Sequence, residues 1–240
     1  MVQNNMATNS TDVSIYTDGS YLAKTGGTWH LEDSLFKTQR IASMLARHGE
    51  INPHTICEIG CGAGGILAQL RKMLPNHIVF TGYDISPQAH ALSTQFSSPR
   101  CQFILGDAFA DASKYDLVLV MDVIEHVEDY FSFLRHAREK GEWKMYHIPL
   151  DAYVSGILRG NNSWDTVGHL HLFTIETALK SLEHTGHRVI DWTFTDPATA
   201  TPRKTTREKI ANLVRRPLAK LSKRLTARLM GGYSMLVLTK

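Results

Sequence analysis

Apolar and polar positions along the chain change their period again and again. Residues 1–14 are polar, rich in Asn, Ser and Thr, and follow no period, which predicts a disordered terminus. From Asp33 to Arg47, Leu35, Phe36, Ile41, Met44 and Leu45 form a helical stripe that ends at Gly49, before Pro53. An apolar run, Thr55–Ile59, then meets a cluster of glycines, and a helix is expected to Leu74. Strands follow at His77–Tyr83, Cys101–Leu105, Tyr115–Met121 and Trp143–Ile148, with helices after Pro87 and over Val127–Lys140. Thr174 should cap a helix ending near Gly186, and two strands complete the pattern, His187–Phe194 and Tyr233–Leu238. Strand and helix alternate as βαβ units require, so the expected class is α/β with a mainly parallel sheet. A length of 240 residues suits one domain, 15–240, in which 15–50 forms an N-terminal lid and helix.

One segment breaks the alternation. Between the last two strands, Ile210, Val214, Leu218, Leu221, Leu225 and Leu229 recur at spacings of four and three, an amphipathic helical pattern. Proline is poorly tolerated inside a helix, so Pro217 predicts two helices broken near Arg216. Residues 203–230 carry ten Lys or Arg against the single acid Glu208, whereas the other residues hold 16 basic and 22 acidic side chains. The overall charge of +3 therefore hides an acidic body and a basic insertion. This division argues against a globally cationic nucleic-acid binder.

Apolar residues at 43% and charged residues at 20% are globular values. No apolar run approaches the roughly 18 residues of a spanning helix, and the N-terminus lacks a signal-peptide pattern. Cys57, Cys61 and Cys101 are odd in number and form no C-x-x-C pair, which argues against a disulfide framework or zinc knuckle. A cytoplasmic location is expected, with peripheral membrane contact open to the basic insertion.

The candidate chemistry begins at Glu58-Ile59-Gly60-Cys61-Gly62-Ala63-Gly64-Gly65, directly after a strand and before a helix. Gly60, Gly62 and Gly65 also satisfy the dinucleotide pattern G-x-G-x-x-G, with Asp84 near the spacing of its ribose acid. The sign of the charge separates the two ligands. Glu58 would repel a pyrophosphate but attract the amino group of S-adenosylmethionine. Asp84 ends the second strand, where a carboxylate can accept from both ribose hydroxyls. Asp107 ends the third, placed to accept from an adenine amino group.

Glu58-x-Gly60-x-Gly62-x-Gly64, Tyr83-Asp84-Ile85-Ser86, Gly106-Asp107-Ala108 and Asp122-Val123-Ile124-Glu125-His126-Val127 together resemble the successive motifs of class I S-adenosylmethionine-dependent methyltransferases of the small-molecule type. Gly168-His169-Leu170-His171-Leu172-Phe173-Thr174 is similar to the segment entering their last helix. The resemblance implies a Rossmann-like, seven-stranded, mostly parallel sheet with an antiparallel last strand and helices on both faces. It implies cofactor contacts at Glu58, Gly60, Cys61, Gly62, Gly64, Asp84, Ile85, Asp107, Ala108 and Asp122. The implied activity is methyl transfer to a small-molecule or lipid-linked acceptor, sugars included, at oxygen more readily than nitrogen. A non-catalytic cofactor-binding regulator and a nicotinamide oxidoreductase are the alternatives.

A neutral histidine is the usual base for a hydroxyl near pH 7. His147, at a strand end, is the first candidate; His126 and His169 are the others. Some similar hydroxyl methyltransferases hold a divalent metal, for which Asp122, Glu125 and His126 would be the ligands here, but the expectation is no metal. Tyr21, Trp29, His30, Glu32 and Asp33 precede the leading helix, where Tyr21 and His30 could close the site. For the basic insertion three roles compete: a helical cap placing Leu221 and Leu225 over the acceptor pocket, an anionic membrane contact, and a nucleic-acid grip. No aromatic residue lies between Arg203 and Met230, which counts against the last two and leaves the cap first.

Overall fold

The computed structural model describes residues 16, 18, 20–24, 27–29, 31–160, 168–196 and 206–240, without the side chains of 20, 24, 206–212 and 214. The terminus expected to be disordered, His30 and residues 203–205 lie outside the described residues. The elements in chain order are α1 (Ser20–Lys24), α2 (Ser34–Arg47), β1 (Thr55–Ile59), α3 (Gly65–Met73), β2 (Val79–Asp84), α4 (Pro87–Ser93), β3 (Cys101–Leu105) and β4 (Tyr115–Met121). They continue as α5 (Tyr130–Glu139), β5 (Gly141–Pro149), α6 (Val154–Ile157), α7 (Ile175–His184), β6 (Val189–Thr195), α8 (Thr206–Leu221), α9 (Lys223–Met230) and β7 (Ser234–Thr239).

The seven strands run in the order β3-β2-β1-β4-β5-β7-β6. All pairings from β3 to β5 are parallel, and β7 lies antiparallel between β5 and β6. This is the Rossmann-like sheet that the motifs imply. Side chains of β4 alternate between two cores, because successive residues of a strand face opposite sides of its sheet. Leu117, Leu119 and Met121 pack with Ile41 and Met44 of α2 and Ile66, Leu67 and Leu70 of α3. Val118 and Val120 pack with Leu134 of α5 and with Ala178 and Leu182 of α7.

Helix starts follow local capping chemistry. The Ser86 hydroxyl accepts from the Ala89 N–H ahead of Pro87, and Thr174 and Thr177 form a reciprocal capping box. The helix expected from Val127 begins instead at Tyr130, because Asp129 accepts from the Ser132 N–H and a 3₁₀ turn, Ile124–His126, precedes it. Pro217 does not break the basic insertion. It sits inside α8, and the chain turns at Ser222, whose side chain caps α9. Leu213 and Pro217 are both exposed, so water can replace the hydrogen bond that the proline cannot donate.

Candidate active site

The C-terminal ends of β1 to β4 meet at the point where the strand order reverses, the crevice in which open α/β sheets bind ligands. Two joined cavities of about 260 and 840 Å³ occupy it, and Tyr21, Trp29, Gly60, Asp122 and His126 line both.

The glycine loop forms the floor. Gly60, Gly62 and Gly64 hold left-handed φ values of 73°, 52° and 77°. A Cβ on Gly62 would lie 2.6 Å from the Trp29 ring, and one on Gly64 would lie 2.5 Å from Phe103, so both positions require glycine. Backbone bonds stitch the loop to the end of β2: the Gly60 and Cys61 N–H groups donate to the Tyr83 carbonyl at 2.8 and 2.9 Å. The Gly62 N–H donates to Asp84 Oδ2 at 2.7 Å, and the Ser86 N–H donates to Asp84 Oδ1 at 2.8 Å. Asp84, Ile85, Asp107 and Ala108 line the larger cavity, where Asp107 also accepts from the Phe109 N–H.

The smaller cavity is acidic. Asp33, Glu58, Asp122 and Glu125 line it, with Lys37 reaching in from α2. Glu58 is 1% exposed and its Oε2 has no hydrogen-bond partner among the described residues. Burial pushes its carboxyl up to about 8, against the pull of Lys37. Glu125 is buried with neither carboxylate oxygen hydrogen-bonded among the described residues, and burial followed by the Asp122 charge raises it well above the usual carboxylate range. Lys37 Nζ lies 2.6 Å from Asp122 Oδ2. Lys37 was not foreseen in the sequence, although its place on the inner stripe of α2, four residues before Ile41, was a usable signal.

The three candidate histidines have different surroundings. His147 does not open into the crevice as expected. It is 4% exposed, with Nδ1 2.5 Å from Asp122 Oδ1 and Nε2 2.7 Å from Thr195 Oγ1, so both ring nitrogens are taken. Burial works against the Asp122 charge, yet His147 and Lys37 together hold that carboxyl well below its usual range. Asp122 adopts φ 56°, a left-handed conformation uncommon outside glycine, which turns its carboxylate between these two side chains.

His126 and His169 do line the smaller cavity. The Glu125 carbonyl accepts from the Leu170 and His171 N–H groups, which draws the 168–171 segment against the 3₁₀ turn. His126 Nδ1 lies 2.9 Å from the Gly168 carbonyl and 2.8 Å from the Tyr16 hydroxyl. His169 Nδ1 lies 2.7 Å from Asp151 Oδ2. The set Asp122, Glu125 and His126 is not assembled for a metal, since Asp122 faces Lys37 and His147. Glu125, His126 and His169 instead offer ligand atoms within 4.8 Å of one another. The three cysteines are free and buried.

A family profile described as "Methyltransferase domain" matches residues 32–215, most of the chain. The chain belongs to this methyltransferase family. It is a class I enzyme that uses S-adenosylmethionine. Glu58 Oε2 and the Glu125 carboxylate, which accept no hydrogen bond among the described residues, fit that cofactor, because both its sulfonium and its amino group are positive.

Among curated relatives, the ubiquinone biosynthesis O-methyltransferase of Serratia proteamaculans (strain 568) is 32% identical over 119 residues, 45% of this chain and 48% of that protein. The protein so named from Vibrio vulnificus (strain YJ016) is 32% identical over 103 residues, 40% and 43% of the two chains. The matched stretch is thus about half the length of these relatives. Among solved structures, magnesium protoporphyrin IX methyltransferase from Synechocystis PCC 6803 with bound SAH superposes at a TM-score of 0.58, with 16% identity over 85% of this methyltransferase and 81% of that chain. A putative sarcosine dimethylglycine methyltransferase from Galdieria sulphuraria gives 0.63, with 14% identity over 92% and 97%. At such identities the likeness shows the fold.

Proposed function

We propose that this methyltransferase methylates a hydroxyl group of a small or lipid-linked acceptor, with His169 as the base. The observation that carries the reading is the His169–Asp151 pair. With Nδ1–H donated to the Asp151 carboxylate, the ring presents Nε2 toward the smaller cavity as the acceptor of a proton, and Asp151 stabilises the imidazolium that forms. His169 Nε2 has no hydrogen-bond partner among the described residues, in contrast to the fully engaged His147. The O-methyltransferase names of the curated relatives support oxygen as the methylated atom and a quinone-type ring, carried on a lipid, as one acceptor class.

The cofactor supplies a methyl group already activated by its sulfonium, so the protein's tasks are binding, alignment and exclusion of water. Glu58 would hold the amino group, and Lys37, the cation inside the smaller cavity, the carboxylate. Asp84 would accept from the ribose hydroxyls and Asp107 from the adenine amino group, with the backbone of Gly60, Cys61, Gly62 and Gly64 approaching closely beneath. Ile85 and Ala108 supply apolar walls beside the adenine. Asp122, clamped by Lys37 and His147, orients Lys37 and fixes the end of β4. Tyr21 and Trp29 cover the junction of the two cavities, with ring centroids 4.9 Å apart.

Transfer of a labelled methyl group from S-adenosylmethionine to phenolic, quinol, sugar and amine acceptors tests the reading. His169→Asn should reduce kcat on a hydroxyl acceptor by about 10²-fold or more, with cofactor affinity within about twofold. Methylation of amines alone, or an unchanged kcat in the variant, would refute it.

A further inference from the structure

We propose that α6 and the two basic helices, α8 and α9, form a surface that docks on an anionic lipid bilayer. Three observations converge on it. The first is exposure. Seven of the fourteen large apolar side chains exposed among the described residues belong to Val154–Leu158 and to α8 and α9. Leu158 is 82% exposed, Leu221 81%, Leu213 74% and Ile157 62%. A cap packed over the acceptor pocket would have hidden its leucines, yet neither Leu221 nor Leu225 lines either cavity.

The second observation is charge. Some of the basic side chains serve the fold: Arg215 is buried against the Gly232 carbonyl and Asp196, and Arg224 and Arg228 both pair with Glu176. Arg216, Lys220 and Lys223 remain exposed beside the leucines. Leu213, Arg216, Lys220 and Leu221 recur at helical spacing and so share one face of α8. A face that mixes bare leucines with lysine and arginine matches an anionic bilayer, which offers phosphate at its surface and hydrocarbon beneath. A nucleic acid would use the charges but leave the leucines in water.

The third observation is position. Ser234 at the start of β7 pairs with Pro149 at the end of β5 and with Thr195 at the end of β6. The insertion therefore leaves and rejoins the sheet on the rim that carries the cleft. Pro149 and Ser234 line the smaller cavity, α6 packs against α9, and a Cβ on Gly231 would meet the Tyr153 ring. Docking through this surface sets the mouth of the cleft against the bilayer, where a lipid-linked acceptor resides. The proposal does not depend on which acceptor is used.

The test is co-sedimentation of the full chain with vesicles of phosphatidylglycerol and phosphatidylcholine in equal parts, and with phosphatidylcholine alone, at low and high salt. Binding is expected on the anionic vesicles at low salt, with loss at high salt and little on the neutral ones. The variant R216Q/K220Q/K223Q should partition on the order of 100-fold less, since each charge near the surface contributes about fivefold. I157S/L158S should also weaken binding, through the apolar contact. None of these side chains lines the cavities, so calorimetry with S-adenosylmethionine and thermal melts should match wild type in both variants. Absence of sedimentation by a folded, cofactor-binding protein, or binding by both variants as strong as that of wild type, would overturn the proposal. So would retention of an oligonucleotide at the same salt without vesicle binding, which would assign the basic face to nucleic acid.

Discussion

Replacing Glu58 with glutamine separates what the folded chain tolerates from what the cofactor requires. The Glu58 carboxyl lies above its ordinary value of 4.5, at about 8, because it is buried. Folding therefore takes up a proton between those two values, and the apoprotein loses stability as the pH rises from about 5 through 8. Fully expressed, the displacement corresponds to about 5 kcal/mol. Relaxation of the loop and entry of water reduce this, so about 1–2 kcal/mol is expected in practice. Glutamine keeps the shape and removes the ionisation. For a chain of this size the variant should melt about 2–8 °C higher than wild type at pH 8.5, with the two curves converging toward pH 5. Glu125 is displaced in the same direction but is present in both proteins, so the difference isolates Glu58. With S-adenosylmethionine the order should reverse, because losing a hydrogen bond to a charged group costs about 1.5–3 kcal/mol of binding. Thermal melts from pH 5 to 9, with and without cofactor, read both effects. Parallel melting curves across that range, or an unchanged affinity, would refute the reasoning.

Asp84→Asn should weaken S-adenosylmethionine binding by about 1.5–3 kcal/mol, since an amide cannot accept from Gly62, Ser86 and a ribose together; wild-type affinity in calorimetry would remove the ribose assignment. His147→Ala takes away the ring partner of Asp122 Oδ1 and of the buried Thr195 hydroxyl, leaving Asp122 only Lys37, so stability should fall by about 1–3 kcal/mol along with turnover, whereas full stability with lost turnover would restore a direct catalytic role. Gly64→Ala must place a Cβ in a left-handed conformation 2.5 Å from Phe103, so stability should drop by at least about 1 kcal/mol and cofactor affinity with it. Denaturant melts of the apoprotein check that figure, and an unaffected midpoint would show that Phe103 can move aside.

The features legible in the sequence were those set by short-range rules. β1, β3 and β4 span the residues that their apolar runs marked, because strands between turn signals have few alternatives. The glycine loop, Asp84 and Asp107 converge as their positions at strand ends require. His147 was misjudged because a strand end shows that a side chain can reach the crevice but not what meets it there. Its partners come from elsewhere in the chain, Asp122 from just past the end of β4 and Thr195 from the end of β6. The approach of His169 to Glu125 depends on a loop returning 44 residues later and anchoring on the Glu125 carbonyl, which no local pattern encodes. Pro217 was read as a break because propensity assumes that the lost hydrogen bond goes unreplaced, whereas this stretch of α8 is exposed to water.

The place of β7 bears on the order in which the molecule can assemble. The strand of this sheet that comes last in chain order fills the slot between β5 and β6, and reciprocal backbone bonds between Arg188 and Lys240 close the far end of that pairing. Until Ser234–Thr239 emerge, β6 has no neighbour and β5 presents an open edge, the kind of surface that invites pairing between nascent chains. The five-strand parallel portion can form early, but completion waits on contacts remote in sequence, a slow and non-local step. Deleting residues 233–240 would therefore detach two strands, not one, and a chain without them should accumulate in inclusion bodies even though it keeps each of the cofactor motifs.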